Sequence, residues 1–290
     1  MNLLKPHNAP KRKSWSRLVA ALVLSTGLSW VSSCHMYPQT LENSVGDNYL
    51  PDVHMGKILR LVEDAQLAWA DSSYVLSNAG VISYSFNKLE MRHEMWFDYT
   101  PDYVEIYDGV RRKGTMSAVW SGDLSVPGTE MRITMITGFG FNDWNCSGTI
   151  KVQNWGEDEI GHTMFGVESD IILLEPAYNF EWTNEYVRVK IRGENTQTTQ
   201  DDWWAVGGRS YARNRQGRFY NATIKDSLYF ANACKWGILK GRVDIQQIDA
   251  TQRIFVDYGS ATDTACHEFI TFTRGGKSQT VSKHLDGLAP

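Results

Sequence analysis

The sequence lacks the short motifs with which several enzyme classes hold a metal ion, a nucleotide or a reactive serine. No second histidine follows His93-Glu94 or His267-Glu268 at the spacing of a zinc-binding His-Glu-x-x-His motif. The chain also contains neither a Gly-x-x-x-x-Gly-Lys phosphate loop nor a Gly-x-Ser-x-Gly elbow. These absences argue against metalloprotease, nucleotide-hydrolase and α/β-hydrolase chemistry. We therefore predict a protein that is not an enzyme and that has no metal site and no cofactor.

Basic residues are scarce outside the first 33 positions. That leader holds five of the 29 Lys and Arg residues and none of the 33 Asp and Glu residues, so the net charge falls from −4 to −9 without it. An acidic surface repels phosphate backbones, and the one short basic run, Arg111-Arg112-Lys113, lies in a predicted turn. The charge therefore argues against binding of a nucleic acid.

The leader has the pattern of a bacterial lipoprotein signal peptide. Its basic start is followed by an apolar run from Leu18 to Val31, which is shorter than the roughly 20 residues of a membrane-spanning helix. Val31-Ser32-Ser33-Cys34 then resembles a lipobox. We predict cleavage after residue 33 and lipidation of Cys34, whose acyl chains would anchor the protein stably in a membrane. The alternative is an ordinary secretory signal in which Cys34 is incidental.

Only three cysteines, Cys146, Cys234 and Cys266, remain once Cys34 carries lipid, so at most one disulfide can form. No pair has the Cys-x-x-Cys spacing of a zinc ribbon or a thioredoxin-like site. Export places the chain where disulfides persist. Cys234 and Cys266 flank strands that we predict to be adjacent, so we favour that pair. Cys146 is then expected to be a small buried thiol.

Two parts follow the leader, a tether and a domain whose first element is a helix. Residues 34–51 are polar and lack a periodic apolar pattern, which predicts a flexible tether. Apolar residues from Ile58 to Trp69 recur at helical spacing and predict one short helix that begins near Asp52. The domain is expected to extend over residues 52–290, with two sub-sheets as an alternative that would divide it near residue 180.

Short β-branched and aromatic runs, separated by turn residues, dominate from Tyr74 onward. Val187, Val189 and Ile191 alternate with basic residues, which predicts a strand with an apolar inner face and a basic outer face. The other predicted strands are Val81 to Phe86, Thr115 to Trp120, Arg132 to Ile136, Thr149 to Gln153, Arg242 to Ile248, Gln252 to Tyr258 and Glu268 to Thr273. Asp108-Gly109, Gln216-Gly217 and Gly275-Gly276 predict tight hairpin turns. The fold class is therefore all-β, a predominantly antiparallel sheet, sandwich-like or built from stacked hairpins.

The most distinctive patch is Asp201-Asp202-Trp203-Trp204. Adjacent residues of a strand face opposite sides, so one indole can enter the core while the other lies on the surface. A surface indole beside carboxylates could stack on a sugar ring. In the alternative interpretation, the acids form a turn and both indoles pack on neighbouring strands.

Several stretches in order carry a resemblance to a known family: Gly109 to Gly114, Asn154-Trp155-Gly156, Asp201 to Gly208, Gly217 to Ile224, Cys234-Lys235-Trp236 with Gly241, Asp257-Tyr258-Gly259, and Cys266. Over roughly residues 75–283 the chain resembles uncharacterised β-rich outer-membrane lipoproteins of Bacteroidota. The family pattern Asp-Tyr-Gly-x-Gly-x-Cys-Asp is lengthened here between Asp257 and Cys266. The resemblance implies architecture and an outer-membrane location, with the periplasmic and the cell-surface face both open. Ser227 and Thr264 lie in tripeptides that resemble the glycosylation motif of that group.

The sequence supports three functional hypotheses. The first is a lipid-anchored, non-enzymatic scaffold or accessory subunit that contacts an outer-membrane protein. The second is a glycan-binding module that uses Trp203 or Trp204. The third is a glycoside hydrolase, which needs two suitably spaced carboxylates. Glu157 and Glu159 could supply such a pair, but their run is more typical of a solvated acidic loop.

Overall fold

The computed structural model describes residues 39–70, 81–100, 104–105, 108–136, 138–142, 144–175, 178–194, 196, 198–248, 250–251, 253–260 and 264–283. Its helix, α1, is Gln39–Ala70. Its strands are β1 (Val81–Asn87), β2 (Arg92–Asp98), β3 (Val104–Glu105), β4 (Arg111–Lys113), β5 (Thr115–Ser121), β6 (Glu130–Met135), β7 (Gly140–Phe141), β8 (Trp144–Glu157), β9 (Thr163–Glu175), β10 (Tyr178–Arg192), β11 (Trp203–Arg213), β12 (Phe219–Ala231), β13 (Ile238–Gln247), β14 (Arg253–Asp257), β15 (Phe269–Arg274) and β16 (Lys277–Ser282). The leader and Cys34 lie outside the described residues, so their predicted processing stays a prediction.

All sixteen strands belong to one antiparallel sheet, which confirms the predicted all-β fold. The main path runs β1-β2-β5-β6-β8-β9-β10-β11-β12-β13-β14-β15-β16, and the short strands β3, β4 and β7 attach to it through β8. The suggested division into two sub-sheets near residue 180 is wrong. The strand there, β10, pairs along its length with β9 on one side and with β11 on the other.

The predicted hairpin turns are confirmed. Asp108-Gly109 connects β3 to β4, Gln216-Gly217 connects β11 to β12, and Gly275-Gly276 connects β15 to β16. The glycine at each turn has a positive φ, between 55° and 77°. Glycine adopts this backbone region without the steric cost that a Cβ atom imposes. Short hairpins therefore explain why consecutive strands are neighbours along most of the sheet.

The helix is the main departure from the predicted organisation. Residues 34–51 were expected to be a tether, but α1 begins at Gln39 and includes Pro51. The chain from residue 42 to residue 290 forms one compact unit, so the domain begins before residue 52. Every residue from Ser44 to Met55 is buried, so this part of α1 has no solvated face. A helix enclosed on all sides gives no apolar stripe, which is why periodicity missed it.

α1 lies across the inner face of the curved sheet. The Trp69 ring packs on Tyr84 of β1 at a centroid distance of 3.9 Å. Midway along the helix, the Tyr186 hydroxyl of β10 donates to Asp52 Oδ1 at 2.8 Å. Near its start, Ser44 Oγ accepts from Gln247 of β13 at 3.0 Å. The helix therefore contacts strands from the start, from the middle and from the second half of the sheet path. No described helix is long and apolar enough to cross a membrane.

The second half of β10 presents the charged side chain of Arg188 to the inner face, so the two faces predicted from Val187 to Ile191 are exchanged. Alternation along Val187, Arg188 and Val189 is present, but Arg188 is the buried residue and the valines are partly exposed. The Arg188 guanidinium pairs with Glu63 of α1, which compensates the charge inside the domain. The alternation predicted the strand correctly. The prediction of which residues face inward was wrong, because Glu63 of α1 places a carboxylate where Arg188 can pair with it on the inner face.

Candidate ligand-binding cavity

A cavity of about 500 Å³ lies between the middle of α1 and the inner faces of β9 to β12. Its volume is within the range of about 300–1,000 Å³ that is usual for small-molecule sites. The residues that line it are mainly apolar, with several charged side chains among them. An apolar cavity with a few convergent polar groups is the default location for a ligand site.

One wall is formed by the middle of α1. Val53, Gly56, Lys57 and Arg60 line the cavity and are spaced three or four residues apart, so they share one side of a helix. The opposite wall consists of strand residues, among them Val167 of β9, Val206 of β11 and Phe230 of β12. A Cβ atom at Gly56 would lie 3.3 Å from Phe230 Cδ1. Glycine therefore allows the helix and β12 to approach closely here.

Lys57 is a charged residue of the α1 wall, and its side chain is largely removed from solvent. Its Nζ donates to the carbonyl oxygen of Asp108 at 3.0 Å. Burial lowers the pKa of Lys57 to about 8; the Asp108 carboxylate opposes this shift, and the positive charges of Arg112 and Arg60 add to it. An anion bound in the cavity would raise this pKa again, because an opposite charge favours the ammonium form.

Asp108 fixes the turn beside Lys57. Its two carboxylate oxygens accept from the Arg112 guanidinium at 2.9 and 2.6 Å. Burial by itself would raise the pKa of Asp108, but the charge and hydrogen bonds of Arg112, with the charge of Lys57, hold it below its ordinary value. The carboxylate is therefore engaged with Arg112. The ammonium of Lys57 meets the neighbouring backbone carbonyl.

Positively charged side chains outnumber negatively charged ones along the lining of the cavity. Lys57, Arg60, Arg188 and Lys235 line the cavity, against the single acid Asp108. Arg60 donates to the Asn232 carbonyl and also faces Asp64 at 3.5 Å. Within the described ranges, Lys57 and Lys235 have no carboxylate within 4.0 Å of their ammonium groups. The cavity therefore favours an anionic group near these two lysines.

The Asp201–Trp204 patch forms the support behind this cavity. Trp204 is 3% exposed, and the Arg188 guanidinium lies 3.4 Å from the centroid of its ring. Asp202 is also buried, and its carboxylate pairs with Lys190 at 2.8 Å. Burial raises the pKa of Asp202 to about 6, although Lys190 opposes the shift. Both residues thus hold the basic residues of β10 in position.

The expected sugar platform does not form at the two indoles. Trp204 is inside the domain and has no free ring face. Trp203 is half-buried against Ala231, Cys234 and Leu239. The Arg192 guanidinium covers its ring at 4.4 Å from the centroid. Asp201 is exposed and accepts from the Thr196 hydroxyl at 3.0 Å. The alternative interpretation, in which both indoles pack on neighbouring groups, therefore describes this patch.

Cys234 and Cys266 form a disulfide, the pair favoured by the sequence, with 5.4 Å between their Cα atoms. Cys234 lines the cavity within the turn of residues 232–237, so the disulfide connects one side of the cavity to the segment before β15.

Cys146 is a free, buried cysteine, and burial raises the pKa of its thiol. Ser227 and Thr264 are both exposed, while Asp263 lies outside the described residues.

The residues that sequence reasoning missed are those of α1, above all Lys57. The only signal was the Gly56-Lys57 pair inside an otherwise apolar helical segment. Among the described residues, no group of three or more His, Cys, Asp or Glu side chains could hold a metal ion.

Comparisons of the chain with protein-family models, with curated proteins and with solved structures give no match.

Proposed function

We propose that this chain is a lipid-anchored, non-enzymatic protein of the outer membrane that binds a small amphipathic anion in the cavity under α1. The observation that carries the proposal is the combination of apolar walls with Lys57, a buried ammonium whose pKa is lowered to about 8. A ligand with an apolar body and one carboxylate, sulfate or phosphate group matches both features. The lipobox at Cys34 and the resemblance to Bacteroidota lipoproteins support the location.

Binding of an amphipathic anion requires that charge and apolar surface act together. Apolar surface removed from water contributes roughly 25 cal/mol per Å². This contribution does not distinguish an acid from an alcohol of the same chain length. The ammonium of Lys57 does, because it attracts only the ionised head group. Preference for the acid over the alcohol is therefore the signature of the proposed site.

Decanoate and decanol are a suitable pair of probes for the unlipidated chain of residues 35–290. We expect decanoate to bind, and Lys57→Gln to weaken its binding about tenfold, which is 1.4 kcal/mol. Decanol should bind equally to both proteins. Lys277→Gln, on the exposed strand β16, is the matched control and should leave binding unchanged. Isothermal titration calorimetry measures the affinities of both probes for the native protein and the two variants.

The pH dependence gives a second readout of the same experiment. Because Lys57 titrates near pH 8, decanoate affinity should fall as the pH rises above that value, and decanol affinity should not. Equal affinity for acid and alcohol, or decanoate binding that Lys57→Gln leaves intact, contradicts the proposal.

A role as an accessory subunit of an outer-membrane complex is a second proposal, favoured by the β1–β2 hairpin. Leu89 at its turn is 97% exposed and Met91 is 56% exposed. The Phe86 ring packs on His93 at a tilt of 32°, and His93 in turn lies parallel to Trp120 at 5.0 Å. Exposed apolar residues grouped in this way often mark a protein contact.

The accessory-subunit proposal predicts a stoichiometric outer-membrane protein in affinity purifications from native membranes. Leu89→Ser with Met91→Ser should abolish its recovery, because the substitutions remove the apolar contact without affecting the core. Val126→Ser, at another exposed loop residue, is the control. Recovery of the lipoprotein alone, or a partner retained by the double variant, argues against this role.

A further inference from the structure

A second concave site, which we call the outer groove, lies on the face of the sheet opposite the helix. It has a volume of about 510 Å³ and spans β10 to β14. Tyr211, Asn221, Thr223, Asp244, Gln246 and Arg253 line it. Their strand neighbours Ala212, Ala222 and Ile245 are buried in the core. Strand alternation therefore directs the groove residues outward.

The strand register arranges these residues in two rows across the sheet. Tyr211 is opposite Asn221, Asn221 opposite Gln246, and Gln246 opposite Arg253. In the second row, Arg209 is opposite Thr223 and Thr223 opposite Asp244. Five adjacent strands at a spacing of about 4.8 Å extend over roughly 19 Å. The groove is thus long enough for several linked rings rather than one small molecule.

The groove offers hydrogen-bonding groups that are not already occupied. The side chains of Asn221, Thr223 and Gln246 make no hydrogen bond to other described residues. Asp244 is 5% exposed, and its buried Oδ1 has no hydrogen-bond partner in the described part of the chain. A buried acceptor without a partner costs free energy, and this cost is removed when a ligand hydroxyl donates to it.

The charges of the groove compensate one another. Arg253 donates to Asp244 Oδ2 at 2.9 Å, and Arg209 pairs with Glu185 at 2.7 Å. The remaining cation, Lys225, lies 4.0 Å from the same Asp244 oxygen. These pairs leave little net charge to attract an ion. Unpaired amides and a hydroxyl, which both donate and accept, instead match a neutral ligand with many hydroxyl groups.

An exposed aromatic pair adjoins these polar groups. Tyr211 stacks on Phe219, with 5.7 Å between ring centroids and 17° between ring planes, and both rings are about 40% exposed. Such a platform presents flat apolar surface beside polar groups, which suits the C–H face of a sugar ring. Trp203 and Trp204 lack this exposure.

We propose that the outer groove binds a neutral oligosaccharide, with one sugar ring on the Tyr211–Phe219 pair and hydroxyl groups on Asn221, Gln246 and Asp244. This site is separate from the cavity, because the groove lies on the other face of the sheet. A failure to bind an oligosaccharide in the groove would therefore not affect the proposal that the cavity binds an amphipathic anion, and the reverse also holds. The groove proposal also assigns glycan binding to the outer groove instead of to Trp203 or Trp204.

The test uses the full lipidated protein in mild detergent and biolayer interferometry. The probes are four neutral polysaccharides, a β-glucan, a mannan, a xylan and a dextran, with polygalacturonate as the charged comparison. We expect binding of at least one neutral polysaccharide. Tyr211→Ala and Asn221→Ala should each weaken it about tenfold or more. Phe269→Ala, at an exposed ring on β15 outside the groove, is the control and should bind normally.

Circular dichroism establishes that each variant is folded, and exposed positions make unfolding of these variants unexpected. Binding that both Tyr211→Ala and Asn221→Ala retain overturns the assignment to the groove. Binding of polygalacturonate alone overturns the neutral class. Binding of none of the five polysaccharides overturns the proposal as a whole.

Discussion

Asp47→Ala should lower the free energy of unfolding by about 3–5 kcal/mol, because it removes one partner of a buried ion pair. Asp47 Oδ1 accepts from Arg215 Nε at 2.6 Å, and Oδ2 accepts from the Arg215 backbone N–H at 3.1 Å. Both side chains are less than 5% exposed. The variant leaves the guanidinium buried without its carboxylate. Urea denaturation followed by tryptophan fluorescence measures the loss.

Two further variants show that burial is the cause. Glu181→Ala removes an exposed pair with Arg213 at 3.6 Å, and it should cost less than about 1 kcal/mol. Adding Arg215→Met to Asp47→Ala should restore part of the stability, since the uncompensated charge is then gone. An Asp47→Ala protein as stable as the Glu181→Ala protein would show that solvent reaches Arg215 and that the pair is not enclosed.

The Asp47–Arg215 pair belongs to a polar network along the first half of α1. Asn48 accepts from the Ser210 hydroxyl at 3.0 Å, and Ser44 accepts from the Asn214 side chain at 3.2 Å. These bonds connect the helix to β11 and to the turn that follows it. They also restrict how the helix can lie in the sheet, because a rotation would leave several buried polar groups unsatisfied.

This network explains why the sequence predicted the sheet better than the helix. Strand alternation and turn glycines are local signals, and they located β1, β5, β13 and the three hairpins correctly. Helix burial depends on partners far along the chain. Asp47, Asn48 and Asp52 are typical of a solvated tether until Arg215, Ser210 and Tyr186 are brought beside them. The polarity of residues 44–52 is therefore matched to the inner face of the sheet rather than to water.

The sequence drew attention to residues beside the candidate cavity, but not to the lysine that lines it. Composition drew attention to Trp204, Asp202 and Cys234, and these residues do adjoin or line its wall. Lys57 gave little signal, because a single lysine in a helix is usually solvated. Its burial results from the way β12 and the Asp108 turn close over one side of α1. Only the assembled sheet distinguishes such a lysine from a surface one.

Asp52→Asn should stabilise the protein at about pH 8 by about 2–4 kcal/mol. Burial raises the pKa of Asp52 from its ordinary value of 3.8 to about 7, although the Tyr186 hydroxyl opposes the shift. Because the folded state holds the proton more tightly than the unfolded state, the contribution of Asp52 to stability is fully present below about pH 4. It is then lost as the pH rises toward 7. Asparagine is neutral at every pH and avoids this loss.

The substituted amide can keep the native contacts. Its oxygen can accept from Asn48 Nδ2, which donates to Asp52 Oδ2 at 3.1 Å in the native protein, and its nitrogen can donate to the Tyr186 oxygen. Urea denaturation at pH 8 and pH 4 should show a gain that nearly vanishes at the lower pH. Asp98→Asn is the control, since Thr100 lowers the pKa of that exposed carboxylate and no gain is expected. A gain of equal size at both pH values would mean that Asp52 is ionised in the folded protein throughout. The burial of its carboxylate would then not control the stability of the helix within the sheet.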